Sequence, residues 1–217
     1  MLKAIIFDFD GTIADTLPIC FYAFQAVFKD FDNKDCTTDE IKAMFGPSET
    51  GIIIENLQNK NHYQAIEHFY KKYDEKHSEN NYINEEIKEL LQFLKKEEYK
   101  LGIVTGKARR SLNISLKYLN MENMFDVIIT GDDVNMPKPH PEGIYKALEQ
   151  LGISASEAIF LGDSDADIHA GIQADVITIG VQWLPNYQTS EFTFEPNLTF
   201  YSVSKFKEAL VKEEILL

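Results

Sequence analysis

The stretch Ala4-Ile5-Ile6-Phe7-Asp8-Phe9-Asp10-Gly11-Thr12 is an apolar run that stops at two carboxylates two positions apart and then turns at Gly-Thr. Alternate residues of an extended chain project to the same side, so Asp8 and Asp10 can face one small volume beyond the strand's carboxyl end while Phe7 and Phe9 point away. Two carboxylates about 4 Å apart repel by roughly 4 kcal/mol at an effective dielectric near 20. The pair therefore implies a bound cation or an acid–base task. The competing reading is a pair of turn-forming Asp residues beside a glycine.

Three later segments decide between these readings. Leu101-Gly102-Ile103-Val104-Thr105-Gly106-Lys107 is a second apolar run, ending in a hydroxyl, a glycine and the expected start of a helix. Lys138-Pro139 follows a third run, Val127-Ile128-Ile129. Ala158-Ile159-Phe160-Leu161-Gly162-Asp163-Ser164-Asp165-Ala166-Asp167 repeats the first pattern, a buried strand ending in clustered carboxylates.

The runs at 4–7, 101–104, 126–129, 158–161 and 176–181 are rich in Ile and Val without polar alternation, as in strands buried on both faces of a parallel sheet. Helical spacing appears between them: Glu86, Ile87, Leu90, Leu91 and Leu94; Leu112, Leu116 and Leu119; Ile144, Tyr145 and Leu148. Strands alternating with helices predict a layered α/β fold with right-handed crossovers. From about Thr16 to Tyr82 there is no convincing strand, but helix-compatible patterns run near Phe21–Phe31, Thr38–Phe45, Gly51–Leu57 and His62–Lys76. That is too long for a bare connection. The expected organisation is a Rossmann-like α/β core of residues 1–15 and 83–217, with an all-helical cap domain of residues 16–82 inserted above the first carboxylates.

Composition narrows the partners. The chain has 217 residues, 44% of them hydrophobic, and 35 acidic against 21 basic residues give a formal net charge of −14. Such a balance disfavours a nucleic-acid or anionic-membrane surface. The one basic run, Lys107-Ala108-Arg109-Arg110, is read as part of an anion site, the alternative being a solvated first helical turn. No apolar run approaches the roughly 20 residues needed to span a bilayer. The early first strand leaves no room for a cleavable signal, so a cytoplasmic location is expected. Cys20 and Cys36 have no metal-ligand spacing and are read as reduced and structural.

In open α/β sheets ligands bind outside the carboxyl ends of the strands. All four polar sets fall at such ends, supplying carboxylates for a hard divalent cation, a hydroxyl and N–H groups for an anion, and a lysine. Mg²⁺ suits this oxygen-rich setting, shared with substrate phosphate and water. Phosphoryl transfer uses every part. Asp163, Asp165 and Asp167 also have the spacing that opens an EF-hand loop, but the required Gly is Ile168 and the closing Glu is Ala174.

The ordered pattern D-x-D-G-T, Thr, Lys and G-D-x-x-x-D, carried by Asp8 to Thr12, Thr105, Lys138 and Gly162 to Asp167, resembles the haloacid dehalogenase superfamily, in its branch of magnesium-dependent phosphatases with an inserted helical cap. The resemblance spans nearly the whole chain. It implies Asp8 as a nucleophile that forms an aspartyl-phosphate, and Asp10 as general acid and then base. It implies Thr105 and the Gly106 N–H on phosphate oxygens, reinforced by the following helix, with Lys107 in the same site. Lys138 would neutralise the nucleophile and the phosphoryl group. Asp163 would ligate Mg²⁺ with Asp8 and the Asp10 main-chain carbonyl, and Asp167 would support it. Asp165 is read as a solvated helix-start carboxylate, and His140 and His169 as surface or structural residues.

The candidate selectivity loop is Phe45-Gly46-Pro47-Ser48-Glu49, with Gly46-Pro47 fixing its turn and Ser48 either contacting substrate or capping a helix. A Glu49 facing substrate counts against a second carboxylate there, and so against phosphoglycolate. Ala174-Asp175 and the aromatic tail Gln188–Tyr201 depart from the family pattern and are expected to stay clear of the chemistry. The expected activity is hydrolysis of a small phosphorylated metabolite by a monomer or weak homodimer, similar to phosphoglycolate phosphatases. The alternatives are a sugar phosphomutase similar to β-phosphoglucomutase and a non-catalytic phospho-receiver or metabolite sensor.

Overall fold

Apolar runs without alternation cannot leave either face in water. In the computed structural model, which describes residues 1–79 and 84–216, they form the interior of a parallel sheet. The strands β1 (Ala4–Phe7), β2 (Lys100–Val104), β3 (Val127–Ile129), β4 (Ala158–Gly162), β5 (Ile177–Val181) and β6 (Leu198–Phe200) lie in the order β3-β2-β1-β4-β5-β6. Every neighbouring pair is parallel, with Ile5 between Leu101 and Ile159. The chain steps outward from β1 to β3 and then resumes on the other side of β1 at β4. The strand order therefore reverses at β1, and the crevice at its carboxyl end is the natural ligand position.

Four helices follow β1: α1 (Leu17–Asp32), α2 (Thr38–Lys42), α3 (Glu49–Asn56) and α4 (His62–Glu79). Then α5 (Glu85–Lys96) leads into β2, α6 (Arg109–Tyr118) leaves it, α7 (Glu142–Leu151) precedes β4, α8 (Asp165–Gln173) follows it, and α9 (Val203–Val211) follows β6. Pro18 in the first turn of α1 and the Thr37–Glu40 capping box of α2 set those starts by local chemistry.

Period-two alternation divides the sheet between two cores. Ile5, Phe7 and Phe9 are buried with Leu91 and Leu94 of α5, Leu112 of α6 and Phe206 of α9. Ala4 and Ile6 face the opposite side, with Ile144 and Ala147 of α7 and Ala170 of α8. The helices between β1 and α5 carry a third buried cluster that includes Phe24, Phe28, Ile41, Ile53, Phe69 and Tyr73, with the Phe24 and Phe69 rings 4.6 Å apart. Each such aromatic contributes about 1.5–3 kcal/mol of burial. The return expected near Tyr82-Ile83, and with it the 82/83 domain boundary, lies outside the described residues.

Three local expectations need correction. The tail from Gln188 to Tyr201 contains an edge strand, β6, whose three half-exposed residues show no buried pattern. Tyr145 shares a helix with Ile144 and Leu148 but is exposed, its hydroxyl donating to the Gln173 carbonyl at 2.9 Å. Helix α1 begins at Leu17, four residues before the expected pattern, because Leu17, Ile19 and Cys20 already bury its inner face.

Candidate active site

The β1 ladder runs on past Phe7, with the Asp8 N–H donating to the Leu161 carbonyl at 2.8 Å, so Asp8 leaves the sheet between β2 and β4. Gly11 then turns at φ +86, and a Cβ there would stand 2.2 Å from an Asp163 carboxylate oxygen. Only glycine allows the first turn to approach the end of β4 so closely. Thr12 Oγ1 donates to Asp163 Oδ1 at 3.3 Å, joining the two strand ends.

Asp8, Asp163 and Asp167 are buried together, each offering an oxygen within 4.8 Å of the others. Lys138 reaches in from the turn before α7, its Nζ 2.6 Å from Asp8 Oδ1, 2.5 Å from Asp167 Oδ1 and 3.3 Å from the Val104 carbonyl. The second Asp167 oxygen accepts the Ser164 hydroxyl at 2.5 Å and the Ser164 N–H at 3.0 Å, in the capping box that opens α8. One lysine cannot balance three carboxylates. Burial pushes the Asp8 carboxyl up to about 7, against the pull of Lys138 and with a further push from Asp167 and Asp10. Burial and the charges of Asp8 and Asp167 raise Asp163 well above the usual range. Burial alone would pull the Lys138 ammonium down, but Asp167 and Asp8 hold it above its ordinary value. A cation deficit among buried oxygen donors is what a hard divalent ion fits.

The Asp10 carboxylate is not part of that cluster. Its Oδ1 accepts the Thr16 hydroxyl and its Oδ2 lies 3.2 Å from Lys107 Nζ. Thr16 precedes α1 without capping it, because its hydroxyl is committed to Asp10. Any metal contact from Asp10 is therefore left to its main chain. Lys107, its side chain fully buried, also lies 3.1 Å from Glu49 Oε1, 3.2 Å from Cys20 Sγ and 4.4 Å from the Tyr73 ring centre. Burial would lower its ammonium, but the neighbouring Asp10 outweighs it, with Cys20, Tyr73 and Glu49 adding to the rise.

A cavity of about 270 Å³ opens above these groups. Asp8, Asp10, Thr105, Gly106 and Lys138 line its floor, Gly46, Pro47 and Glu49 its roof, with Lys107 between Asp10 and Glu49, and Gln188 one rim. Ser48 does not line it; its hydroxyl pairs with Thr50 Oγ1 at 3.0 Å. The Thr105 hydroxyl accepts the Lys107 N–H at 3.2 Å.

The anion site expected from Lys107-Ala108-Arg109-Arg110 does not assemble. Arg109 pairs with Asp133, Arg110 pairs with Glu67 of α4, and only Lys107 turns inward. The first N–H groups of α6 are also taken, Ala108 by Glu49 and Arg109 by Asp132 at 2.8 Å. The helix start thus binds protein carboxylates before any phosphate arrives.

The tail was expected to avoid the chemistry, and it does not. The Gln188 N–H donates to Asp163 Oδ2 at 2.7 Å, and just ahead of the tail Trp183 Nε1 donates to the Thr12 carbonyl at 2.7 Å. Asp165 is a tether for this segment, accepting the Thr193 N–H at 2.7 Å and its hydroxyl at 2.8 Å. His169 stacks on Phe194 and His140 accepts the Glu142 N–H, so neither reaches the cavity. The Glu49–Lys107 pair escaped sequence reading because its partners are 58 positions apart and face each other only once the helices fold back.

A family model described as haloacid dehalogenase-like hydrolase matches residues 5–181. A relative named pyrophosphatase PpaX, from Listeria welshimeri serovar 6b, is 32% identical over 217 residues, covering 98% of each chain. Among solved structures, a predicted phosphoglycolate phosphatase from Haemophilus somnus aligns with a TM-score of 0.78 at 21% identity, covering 96% of this chain and 98% of that one. A β-phosphoglucomutase from Clostridium difficile aligns with a TM-score of 0.81 at 23% identity, covering 99% and 97%. At these identities the two structures speak for the fold.

Proposed function

The chain belongs to the haloacid dehalogenase-like hydrolase family, and on that footing we propose that it hydrolyses a small phosphomonoester through an aspartyl-phosphate on Asp8, with Mg²⁺ as cofactor. The observation that carries this reading is the cavity floor. Asp8 sits under open space, paired at 2.6 Å with Lys138, beside an acidic cluster short of one cation.

Asp8 and Asp163 would hold Mg²⁺, with Asp167 supporting and the Asp10 main chain as a further donor. When bound, the ion supplies Lewis-acid neutralisation of phosphoryl charge. The chain's own residues do the rest. Asp8 Oδ attacks phosphorus, and the bond from phosphorus to the leaving oxygen breaks. Lys138 stabilises charge on the nucleophile and on the transferring group. Thr105 and Gly106 orient its oxygens from the end of β2. Asp10, aimed by Thr16 and Lys107, gives a proton to the leaving oxygen and then accepts one from the water that frees Asp8. Residues 16–82 would act as the cap, with Gly46, Pro47 and Glu49 closing the site against bulk water. We also propose a cytoplasmic enzyme acting as a monomer or weak dimer. Among the described residues no helix is long and apolar enough to cross a membrane.

The test is phosphate release from a panel of sugar phosphates, phosphoglycolate, nucleotides and pyrophosphate, the last included because of the relative's name, with Mg²⁺ and with chelator. Chelator-sensitive release is expected, and Asp8→Asn should lower it by roughly a thousandfold or more while the protein stays folded. More than a few per cent residual activity removes Asp8 as nucleophile. A hexose 1-phosphate that isomerises without net release makes the enzyme a mutase.

A further inference from the structure

The cavity has two chemically different halves. Its floor carries the nucleophile, Lys138 and the phosphate-facing end of β2. Its far half, where the leaving group must lie, is walled by Leu17, Phe24 and Ile52 of the inserted helices and Phe45 of the loop between α2 and α3. The only ammonium there is that of Lys107, and two carboxylates already hold it: Asp10 at 3.2 Å and Glu49 at 3.1 Å. No other lysine, arginine or histidine among the described residues lines this half. Glu49 thus cancels the Lys107 charge, and with Asp10 holding the proton it delivers to the leaving oxygen, the trio offers no net positive charge beside the apolar wall.

Glu49 has no spare capacity for a substrate cation. Its Oε1 also accepts the Ser111 hydroxyl at 2.5 Å, and its Oε2 accepts the Ala108 N–H. The roof thus offers a leaving group neither a free cation nor a free carboxylate oxygen. Burying an unpaired charge against such a wall is costly, whereas burying methylene groups is favourable.

Building on the phosphatase reading above, we infer that this enzyme selects phosphomonoesters of uncharged alcohols that present an apolar body to Leu17, Phe24, Phe45 and Ile52, and that Glu49 rejects leaving groups bearing a second anion. Inorganic pyrophosphate, whose leaving group is itself a phosphate, and carboxylate-bearing esters such as phosphoglycolate fall in the rejected class. Glu49 is a specificity residue here: it touches neither phosphorus nor the nucleophile.

The experiment compares kcat/KM of the full chain with Mg²⁺ on alkyl monophosphates matched in length and leaving-group chemistry: butyl phosphate, 4-phosphooxybutanoate and 4-aminobutyl phosphate, with methyl phosphate and pyrophosphate alongside. Butyl phosphate is expected to exceed both charged analogues and pyrophosphate by about tenfold or more. Each methylene from methyl to butyl should add roughly two- to fourfold. Glu49→Gln should cut the gap between butyl phosphate and 4-phosphooxybutanoate to within about threefold. Phe45→Arg, which adds a cation to a half-buried wall position, should shift the ratio toward the carboxylate by about tenfold, so the charge rule stays testable should the Glu49 variant misfold. Equal or better turnover of 4-phosphooxybutanoate or pyrophosphate by the native enzyme overturns the inference, as does a gap that neither variant moves. Release from no phosphate ester at all, pyrophosphate included, overturns the phosphatase reading itself and is a different result from a reversed ranking.

Discussion

Asp8 shows how much the chemistry depends on uncompensated charge. It is only 3% exposed, and burial pushes its carboxyl up to about 7. An acid whose folded pKa lies above its unfolded value near 3.8 binds more protons folded than unfolded between those two values. Without a cation, stability therefore falls as pH rises through that window, by up to about 1.4 kcal/mol per pH unit. A divalent ion bound by the ionised cluster offsets this loss most where the cluster would otherwise hold its protons least. Thermal melts from pH 5 to 8 should show stabilisation by Mg²⁺ that grows up to and beyond pH 7 and is largely lost in Asp163→Asn. An Mg²⁺ effect equal at pH 5.5 and 7.5 would place the ion elsewhere. Asp8 and Asp163 were legible in the sequence because each stands at the end of an apolar run, whereas Lys138, expected at a strand end too, reaches in from the turn before α7. Glu49 was legible only as a member of a loop, since nothing in Gly46-Pro47-Ser48-Glu49 shows that a lysine 58 positions on will meet it.

Elements that read clearly are those whose burial is uniform. Strands β1 and β4 are buried along their whole length, and α5 repeats Ile87, Leu90, Leu91 and Leu94 at helical spacing. The edge strand β6 has only three residues, none fully buried, and its pairing with β5 is a tertiary fact that no local pattern carries. Packing between α4 and α6 was equally hidden, because its contacts are polar. His77 Nε2 and the Tyr73 hydroxyl meet Ser115 Oγ at 2.9 and 2.7 Å, and His77 stacks on Tyr118. Burial, aided by the Lys107 charge, pulls His77 down to about 4. The unfolded chain, near 6.5, takes up this proton first, so the contribution of His77 to stability is intact above pH 6.5 and is lost as pH falls toward 4. This slope opposes that of Asp8, and a comparison of variants separates them. His77→Gln, which keeps a partner for Ser115, should lose up to about 1.4 kcal/mol per pH unit of slope between pH 4.5 and 6.5, read from denaturant melts. The Asp8 contribution is common to both proteins and cancels in the difference. Parallel curves would mean that His77 is not held neutral between α4 and α6.

Across the whole molecule the site is assembled from three distant parts of the chain. The ends of the sheet strands supply Asp8, Thr105 and Asp163, the turn before α7 supplies Lys138, the inserted segment supplies Glu49 and the apolar wall, and the segment between β5 and β6 closes the third side. That segment is held by contacts spread along it: Trp183 to the Thr12 carbonyl, Asn186 to Asp15, Gln188 to Asp163, and Thr193 to Asp165. Its role was not legible because its contact with Asp163 is made by a backbone N–H, which no side-chain pattern marks. The Gln188 N–H fixes one oxygen of a carboxylate proposed to hold the ion, so loosening the segment should weaken metal binding before it unfolds the protein. Asp165→Ala removes two exposed hydrogen bonds about 28 positions along the chain from their donors, which costs at most about 1 kcal/mol of stability. Trp183, the chain's single tryptophan, reports on the site directly through its bond to Thr12. In an Mg²⁺ titration followed by tryptophan fluorescence, the native protein should show a saturable change, and Asp165→Ala should need several-fold more Mg²⁺ while melting within a few degrees of it. An unmoved midpoint would mean that Asp163 is positioned by Thr12 and the sheet alone, with the segment merely covering it.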